Sequence, residues 1–128
     1  MKKLIPIMLS AFLLIGCAST ETQTNTYRRI SMAEAVVMMQ EETDYIILDV
    51  RRADEFASGH IPGAVLFPHE NIGEQTCEEI LPNKEQRIFV YCRSGRRSKI
   101  AAQKLIDLKY TNIIEIGGIN DYNGEQQN

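Results

Sequence analysis

Arg87-Ile-Phe-Val-Tyr-Cys92-Arg-Ser-Gly-Arg-Arg-Ser98-Lys-Ile-Ala-Ala-Gln-Lys-Leu105 reads as a strand, a tight loop and a helix. Arg87 to Tyr91 is rich in β-branched and aromatic residues, and from Ser98 onward Ala101, Leu105 and Leu108 fall on one helical face. The apolar period therefore changes from two to about 3.6 across the loop, and Cys92 sits at the change. A thiol at the carboxyl end of a strand, facing the start of a helix, meets backbone N–H groups without intrahelical partners and the positive end of a helix dipole. That setting favours thiolate. Arg93, Arg96, Arg97 and Lys99 put four cations into seven residues; they are expected to lower the cysteine pKa further and to receive an anion. Cations at a helix N-terminus disfavour the helix itself, so an anionic ligand is the simplest reason for them. Gly95 can take φ > 0 and let successive N–H groups converge on the sulfur. The competing reading, an inert core thiol before an ordinary basic helix, leaves the cations without a purpose.

Outward from this unit, the pattern alternates strands with helices. Tyr45-Ile-Ile-Leu-Asp-Val50 is the most apolar run and reads as a central parallel strand buried on both faces. Tyr27 to Ile30 is a short strand, and Ser31-Met-Ala-Glu34 a capping box opening a helix with Met32, Val36 and Met39 inward. Gly59-His-Ile-Pro-Gly63 is a turn cluster leading to a strand over Ala64 to Phe67. Residues 71–86 are acidic and loosely helical, Asn112 to Ile116 is the last strand, and Gly117-Gly118 allow close backbone approach. The fold class is α/β, a mainly parallel sheet of about five strands flanked by helices on both faces.

In such sheets the functional crevice lies beyond the carboxyl ends of the strands, which brings Asp49 and Arg51 to the same edge as Cys92. Asp49 could tune the site, but a buried carboxylate holding loop backbone is the simpler account, and Arg51 with Glu55 is expected to form an i, i+4 pair. His60, between two glycine turns, is expected to fix backbone rather than move protons. Two histidines and one spare cysteine at irregular spacing make no metal set, and no cofactor is expected.

Met1-Lys-Lys followed by the apolar stretch Leu4 to Ile15 is too short for a spanning helix of about 20 residues and reads as a targeting segment. Leu14-Ile15-Gly16-Cys17 resembles the lipobox of bacterial lipoproteins. That resemblance implies cleavage before Cys17, a diacylglycerol thioether with palmitate-type chains on it, and a domain tethered to a membrane in the cell envelope, facing the periplasm or the exterior. The alternative is a plain secretory signal. The expected organisation is a signal peptide over residues 1–16, a lipidated cysteine and flexible tether over 17–26, and one domain over 27–128. The whole chain carries 14 cations and 17 anions. Loss of Lys2 and Lys3 leaves 12 cations against the same 17 anions, a net charge of −5, which argues against nucleic-acid binding and makes the cluster after Cys92 local.

Cys-Arg-Ser-Gly-Arg-Arg-Ser98 resembles the active-site loop of rhodanese-domain sulfurtransferases, and Leu48-Asp-Val-Arg51, Glu55-Phe56, Gly59-His-Ile-Pro-Gly-Ala64 and Gly117-Gly118 follow that family's order. Tyr122 stands where many members carry Trp. The resemblance covers about Ser31 to Tyr122 and implies transfer of a sulfane sulfur. The Cys92 thiolate would accept it from a thiosulfate-like anion, hold it as a persulfide and pass it to cyanide or a thiol. The backbone from Arg93 through Ser94, Gly95, Arg96 and Arg97 to Ser98 would stabilise the persulfide, Arg96 and Arg97 would attract the donor's sulfonate, and Arg93 would serve the acceptor side. A monomer is expected. A noncatalytic sulfur-carrier or partner-docking module stays open. So does a phosphatase or arsenate reductase, although in those enzymes an arginine follows the cysteine by six positions, where this chain has Ser98. Cys77, between the third and fourth strands, is expected to be partly buried and too far from Cys92 to bridge.

Overall fold

A computed structural model describes residues 26–128; the signal segment, Cys17 and the tether up to residue 25 lie outside the described residues. Five strands form one sheet: β1 (Arg28–Arg29), β2 (Ile46–Asp49), β3 (Val65–Leu66), β4 (Ile88–Cys92) and β5 (Ile113–Gly118). Their order is β1-β5-β4-β2-β3, and every neighbouring pair is parallel. The helices are α1 (Met32–Glu41), α2 (Ala53–Ser58), α3 (Glu74–Ile80) and α4 (Arg96–Asp107), with short 3₁₀ turns at His69–Asn71 and Ile119–Asp121. The α/β class and the five-stranded parallel sheet agree with the pattern in the sequence.

β4 occupies the middle, and all five of its residues are buried. An unbroken apolar strand is what a parallel sheet covered on both faces requires. Because side chains alternate across a strand, Ile88, Val90 and Cys92 join Ala101, Ala102, Leu105 and Ile106 of α4 on one face. Phe89 and Tyr91 join Met32 and Ala35 of α1 on the other. The same alternation that builds the core thus aims the Cys92 side chain at α4. Between β4 and β5 the register slips: Val90 opposes Glu115 but Cys92 opposes Gly118. Two steps on β4 match three on β5, a bulge that includes Gly117 at φ 85°.

Several local expectations change. β2 is interior but not central. The strands at Tyr27 to Ile30 and Ala64 to Phe67 shorten to two residues each, and the loosely helical segment resolves into the 3₁₀ turn and α3. Ser31 does accept the Glu34 N–H at 3.1 Å, yet Ala35 rather than Val36 is the second fully buried residue of α1. Helix α4 starts at Arg96, two residues before Ser98, and Leu108 lies just past its end.

Candidate active site

Strand β4 delivers Cys92 to the carboxyl edge, and the chain turns through Arg93, Ser94 and Gly95 into α4. Gly95 caps the helix at φ 106° and ψ −7°, a left-handed conformation that a side chain would strain. Gly118 is required for another reason: a Cβ there would lie 2.0 Å from the Arg93 carbonyl oxygen. That carbonyl also accepts the Asn120 N–H at 3.2 Å, so the end of β5 pins the loop from beneath.

The Cys92 sulfur accepts the Gly95 N–H at 3.0 Å and lies 3.5 Å from the Ser98 hydroxyl. Burial pushes the thiol's pKa up, but the Ser98 side chain and the backbone N–H groups of Ser98, Gly95 and Ser94 outweigh it, and the net shift is downward. Hydrogen bonds at a helix start therefore favour thiolate here, whereas the sequence had assigned much of that effect to the cations. Arg93, Ser94, Arg96 and Lys99 are exposed around the loop, while Gly95 and Ser98 are buried within it.

Arg97 is committed elsewhere. Its guanidinium meets both oxygens of Glu55 at 2.6 and 2.9 Å, a bidentate pair that holds the Glu55 carboxyl down at about 2. Glu55 Oε1 also accepts the Arg52 N–H at 3.2 Å, at the start of α2. The expected pairing of Arg51 with Glu55 is thus replaced. Arg51 binds Asp49 instead, with its NH2 group 2.7 Å from Oδ2, and donates to the Gly59 carbonyl at 2.7 Å. Asp49 is fully buried; it accepts the Arg51 backbone N–H at 3.0 Å and the Tyr91 hydroxyl at 2.7 Å. Tyr91 in turn accepts the Ile61 N–H at 3.1 Å. Burial, with the Asp49 carboxylate beside it, pushes the Tyr91 phenol well up. Asp49, Arg51 and Tyr91 therefore form a buried brace that fixes the loops flanking the cysteine, the backbone-holding role expected of Asp49.

His60 Nδ1 lies 2.9 Å from the Phe56 carbonyl, its ring is stacked on Phe56 at 3.7 Å, and its backbone pairs with Gln127. Those are fixing contacts. Cys77 is buried in α3 and, like Cys92, is a free thiol; burial pushes its pKa up. Position 98 holds a buried serine and Arg97 is tied to Glu55, so the arginine that closes an oxyanion loop in phosphatases has no counterpart here.

Two carboxylates take roles that the sequence did not indicate. Glu55 was paired with the wrong arginine, because its true partner lies 42 positions away. Glu115, 1% exposed in β5, donates nothing to the apolar core and accepts the Ser98 hydroxyl at 2.6 Å. Its signal was visible: one charged residue inside the apolar strand Ile113-Ile-Glu-Ile116.

The model of the rhodanese-like domain matches residues 32–125. A Bacillus subtilis (strain 168) relative, named as a candidate sulfur carrier protein, is 28% identical over 94% of this chain, which spans 64% of that relative's length. A thiosulfate sulfurtransferase of Escherichia coli (strain K12) is 31% identical over 58% of this chain and 70% of its own. Among solved structures, a rhodanese with anions from Escherichia coli is similar at a TM-score of 0.60 and 26% identity, over 65% of this chain and 96% of the other.

Proposed function

We propose, from the premise that this chain belongs to the rhodanese-like domain family, that it is a sulfurtransferase working through a persulfide on Cys92. One observation carries the reading: the Cys92 sulfur accepts the Gly95 N–H at 3.0 Å inside a loop that opens a helix. A buried anion on that sulfur is stabilised by fixed backbone dipoles, which need no reorganisation as the reaction proceeds. The Cys92 thiolate attacks the outer sulfur of a thiosulfate-like donor. A sulfur–sulfur bond forms to the enzyme, and sulfite leaves with the electron pair of the donor's sulfur–sulfur bond. Cyanide or an acceptor thiol then attacks the outer sulfur of the persulfide and the Cys92 thiolate is restored. Arg96, exposed and in no ion pair among the described residues, attracts the anionic donor; with Arg97 tied to Glu55, the equally exposed Arg93 joins it there instead of serving the acceptor side that the resemblance implied. Arg97 positions the helix start through Glu55.

The test is an intact mass after incubation with thiosulfate and removal of excess reagent. One added sulfur is expected on the wild type and none on Cys92→Ser; a gain that survives the substitution, or none with any sulfane donor, overturns the reading. A second reading, a carrier that accepts sulfur from a protein and lacks turnover with small donors, draws support from the name of the Bacillus subtilis relative. It is distinguished by steady-state turnover with thiosulfate and cyanide. The domain acts at a membrane surface, tethered through lipidated Cys17. Metabolic labelling with a palmitate analogue should mark the wild type and spare Cys17→Ser.

A further inference from the structure

Beside the Cys92 loop the carboxyl edge of the sheet carries an open groove of about 580 Å³, lined by Ile116 and Gly117 of β5 between the starts of α1 and α4. Its charged side chains have both signs, Arg29 and Lys99 against Glu34, Glu115 and Asp121. Glu115 is buried and spent on the fold: it accepts the Ser98 hydroxyl at 2.6 Å and the Gly117 N–H at 2.9 Å, and lies 3.3 Å from Arg29 Nε. The others face water. Lys99, Glu34 and Asp121 are exposed and in no ion pair among the described residues, and the Arg29 side chain stays 59% exposed beside Glu115. The groove meets the active loop at Ser94 and Gly95, and the Gly95 N–H is the group 3.0 Å from the Cys92 sulfur. Arg93 and Arg96 do not line it. The loop is therefore approached by cations alone on one side and by both signs on the other. A dianion such as thiosulfate gains from the first side and would meet carboxylates on the second.

We propose that this groove is the acceptor subsite and that it takes a small thiol carrying both an ammonium and a carboxylate, an amino-acid or short-peptide thiol. Lys99 and Arg29 hold the carboxylate, Asp121 and Glu34 hold the ammonium, and the thiol arm passes over Ser94 to the sulfur. The subsite rests on the reading of Cys92 as a persulfide carrier and names the acceptor that reading leaves open. Its volume falls within the roughly 300–1,000 Å³ of small-ligand sites. Each exposed ion pair contributes little by itself, but two anchors of opposite sign fix which way round the acceptor lies, and orientation is what brings the two sulfurs together. The acceptor enters as a thiolate, its proton having gone to solvent. Its sulfur bonds to the outer sulfur of the Cys92 persulfide while the persulfide bond breaks, the electron pair returns to Cys92 as thiolate, and the acceptor leaves as a persulfide. Cyanide and uncharged thiols reach the same sulfur without the anchors.

The experiment uses the full chain and the dipeptide cysteinylglycine, which carries one ammonium and one carboxylate, with its S-methyl form as a probe that cannot accept sulfur. Binding of the S-methyl form, followed by amide shifts, is expected to move Ala33, Glu34, Ser94 and Gly117. Lys99→Gln and Asp121→Asn should each weaken that binding about two- to fivefold, the loss of one exposed ion pair, and added salt should weaken it in the wild type. With thiosulfate as donor, KM for cysteinylglycine should lie several-fold below KM for uncharged 2-mercaptoethanol, and that preference should shrink in both variants. Equal KM values for the two thiols in the wild type overturn the proposal whether or not the variants fold, and so do shifts confined to Arg93 and Arg96. A folded Lys99→Gln and Asp121→Asn pair that keep the full preference overturn it too. Dipeptide binding in the groove without sulfur added to Cys92 by thiosulfate would refute the sulfur-transfer reading and leave the groove a thiol site; sulfur on Cys92 without dipeptide binding would refute the subsite alone.

Discussion

Glu55 grips Arg97 through both carboxylate oxygens, at 2.6 and 2.9 Å, and so ties the first turn of α2 to the first turn of α4. Both side chains are partly buried, 16% and 25% exposed, so the attraction is only partly screened by water. The pair keeps the helix that follows Cys92 in place rather than waiting for a ligand.

That pair predicts a specific acid sensitivity. Glu55 is held at about 2 against an ordinary 4.5, so its contribution is fully present above about 4.5 and is lost as pH falls towards 2. Both side chains reach solvent, so screening by water leaves the pair worth about 1 kcal/mol. Urea unfolding of wild type and Glu55→Gln should show a stability gap at pH 6 that narrows below about pH 4.5 and closes only towards pH 2. A gap that is constant with pH would show that the carboxylate's charge is not what the fold uses.

The exposed arginines should behave differently from the paired one. Arg93→Ala and Arg96→Ala are expected to raise KM for thiosulfate several-fold with little change in kcat, and the effect should shrink as salt is raised, since the screening length is about 8 Å at physiological ionic strength. Arg97→Ala should lower stability and make the Cys92 loop less ordered. Steady-state kinetics at low and high salt, with a melting curve for each variant, separate the two classes.

Gly118→Ala should be severe although its backbone angles are ordinary. A Cβ there meets the Arg93 carbonyl oxygen at 2.0 Å, and both partners are backbone, so the loop must move. We expect a loss of about 2 kcal/mol or more and a rise in the pH at which Cys92 is alkylated, read by denaturation and by iodoacetamide kinetics.

The two thiols of the domain should differ in reactivity. Burial pushes Cys77 up, whereas hydrogen bonds bring Cys92 down. Cys92 should therefore be alkylated first as pH is raised, and Cys77→Ala should leave sulfur transfer unchanged at a stability cost of about 1 kcal/mol. Mass mapping of partly alkylated protein checks the order; a Cys77 to Cys92 crosslink in protein purified without reductant would reverse it.

What could be seen in advance followed from short-range pattern. The β-branched and aromatic run Arg87 to Tyr91 announces a strand, and the apolar run Tyr45 to Val50 one covered on both faces. Cys92 at the change of period announces a thiol at a helix start, and Gly95 and Gly118 announce the turn and the close approach. Boundaries were less legible: the strand expected over Ala64 to Phe67 pairs only through Val65 and Leu66, because pairing depends on how far the neighbouring β2 extends. The pairing of Arg51 with Glu55 failed for a similar reason. Four-residue spacing brings two side chains together only within one helix, and Arg51 precedes α2, where Asp49 is within reach.

The sequence by itself determined the parallel α/β architecture, the position of the candidate nucleophile and the cationic loop, because period, turn chemistry and local charge act over a few residues. Only the tertiary structure decided which charges are spent on the scaffold. Glu55 and Arg97 lie 42 positions apart and Glu115 and Ser98 lie 17 apart; they meet because α2 and β5 pack beside the start of α4. A buried carboxylate has to find a donor wherever the fold supplies one, and which donor that is depends on sheet order and on the β5 bulge, neither of which a local pattern encodes.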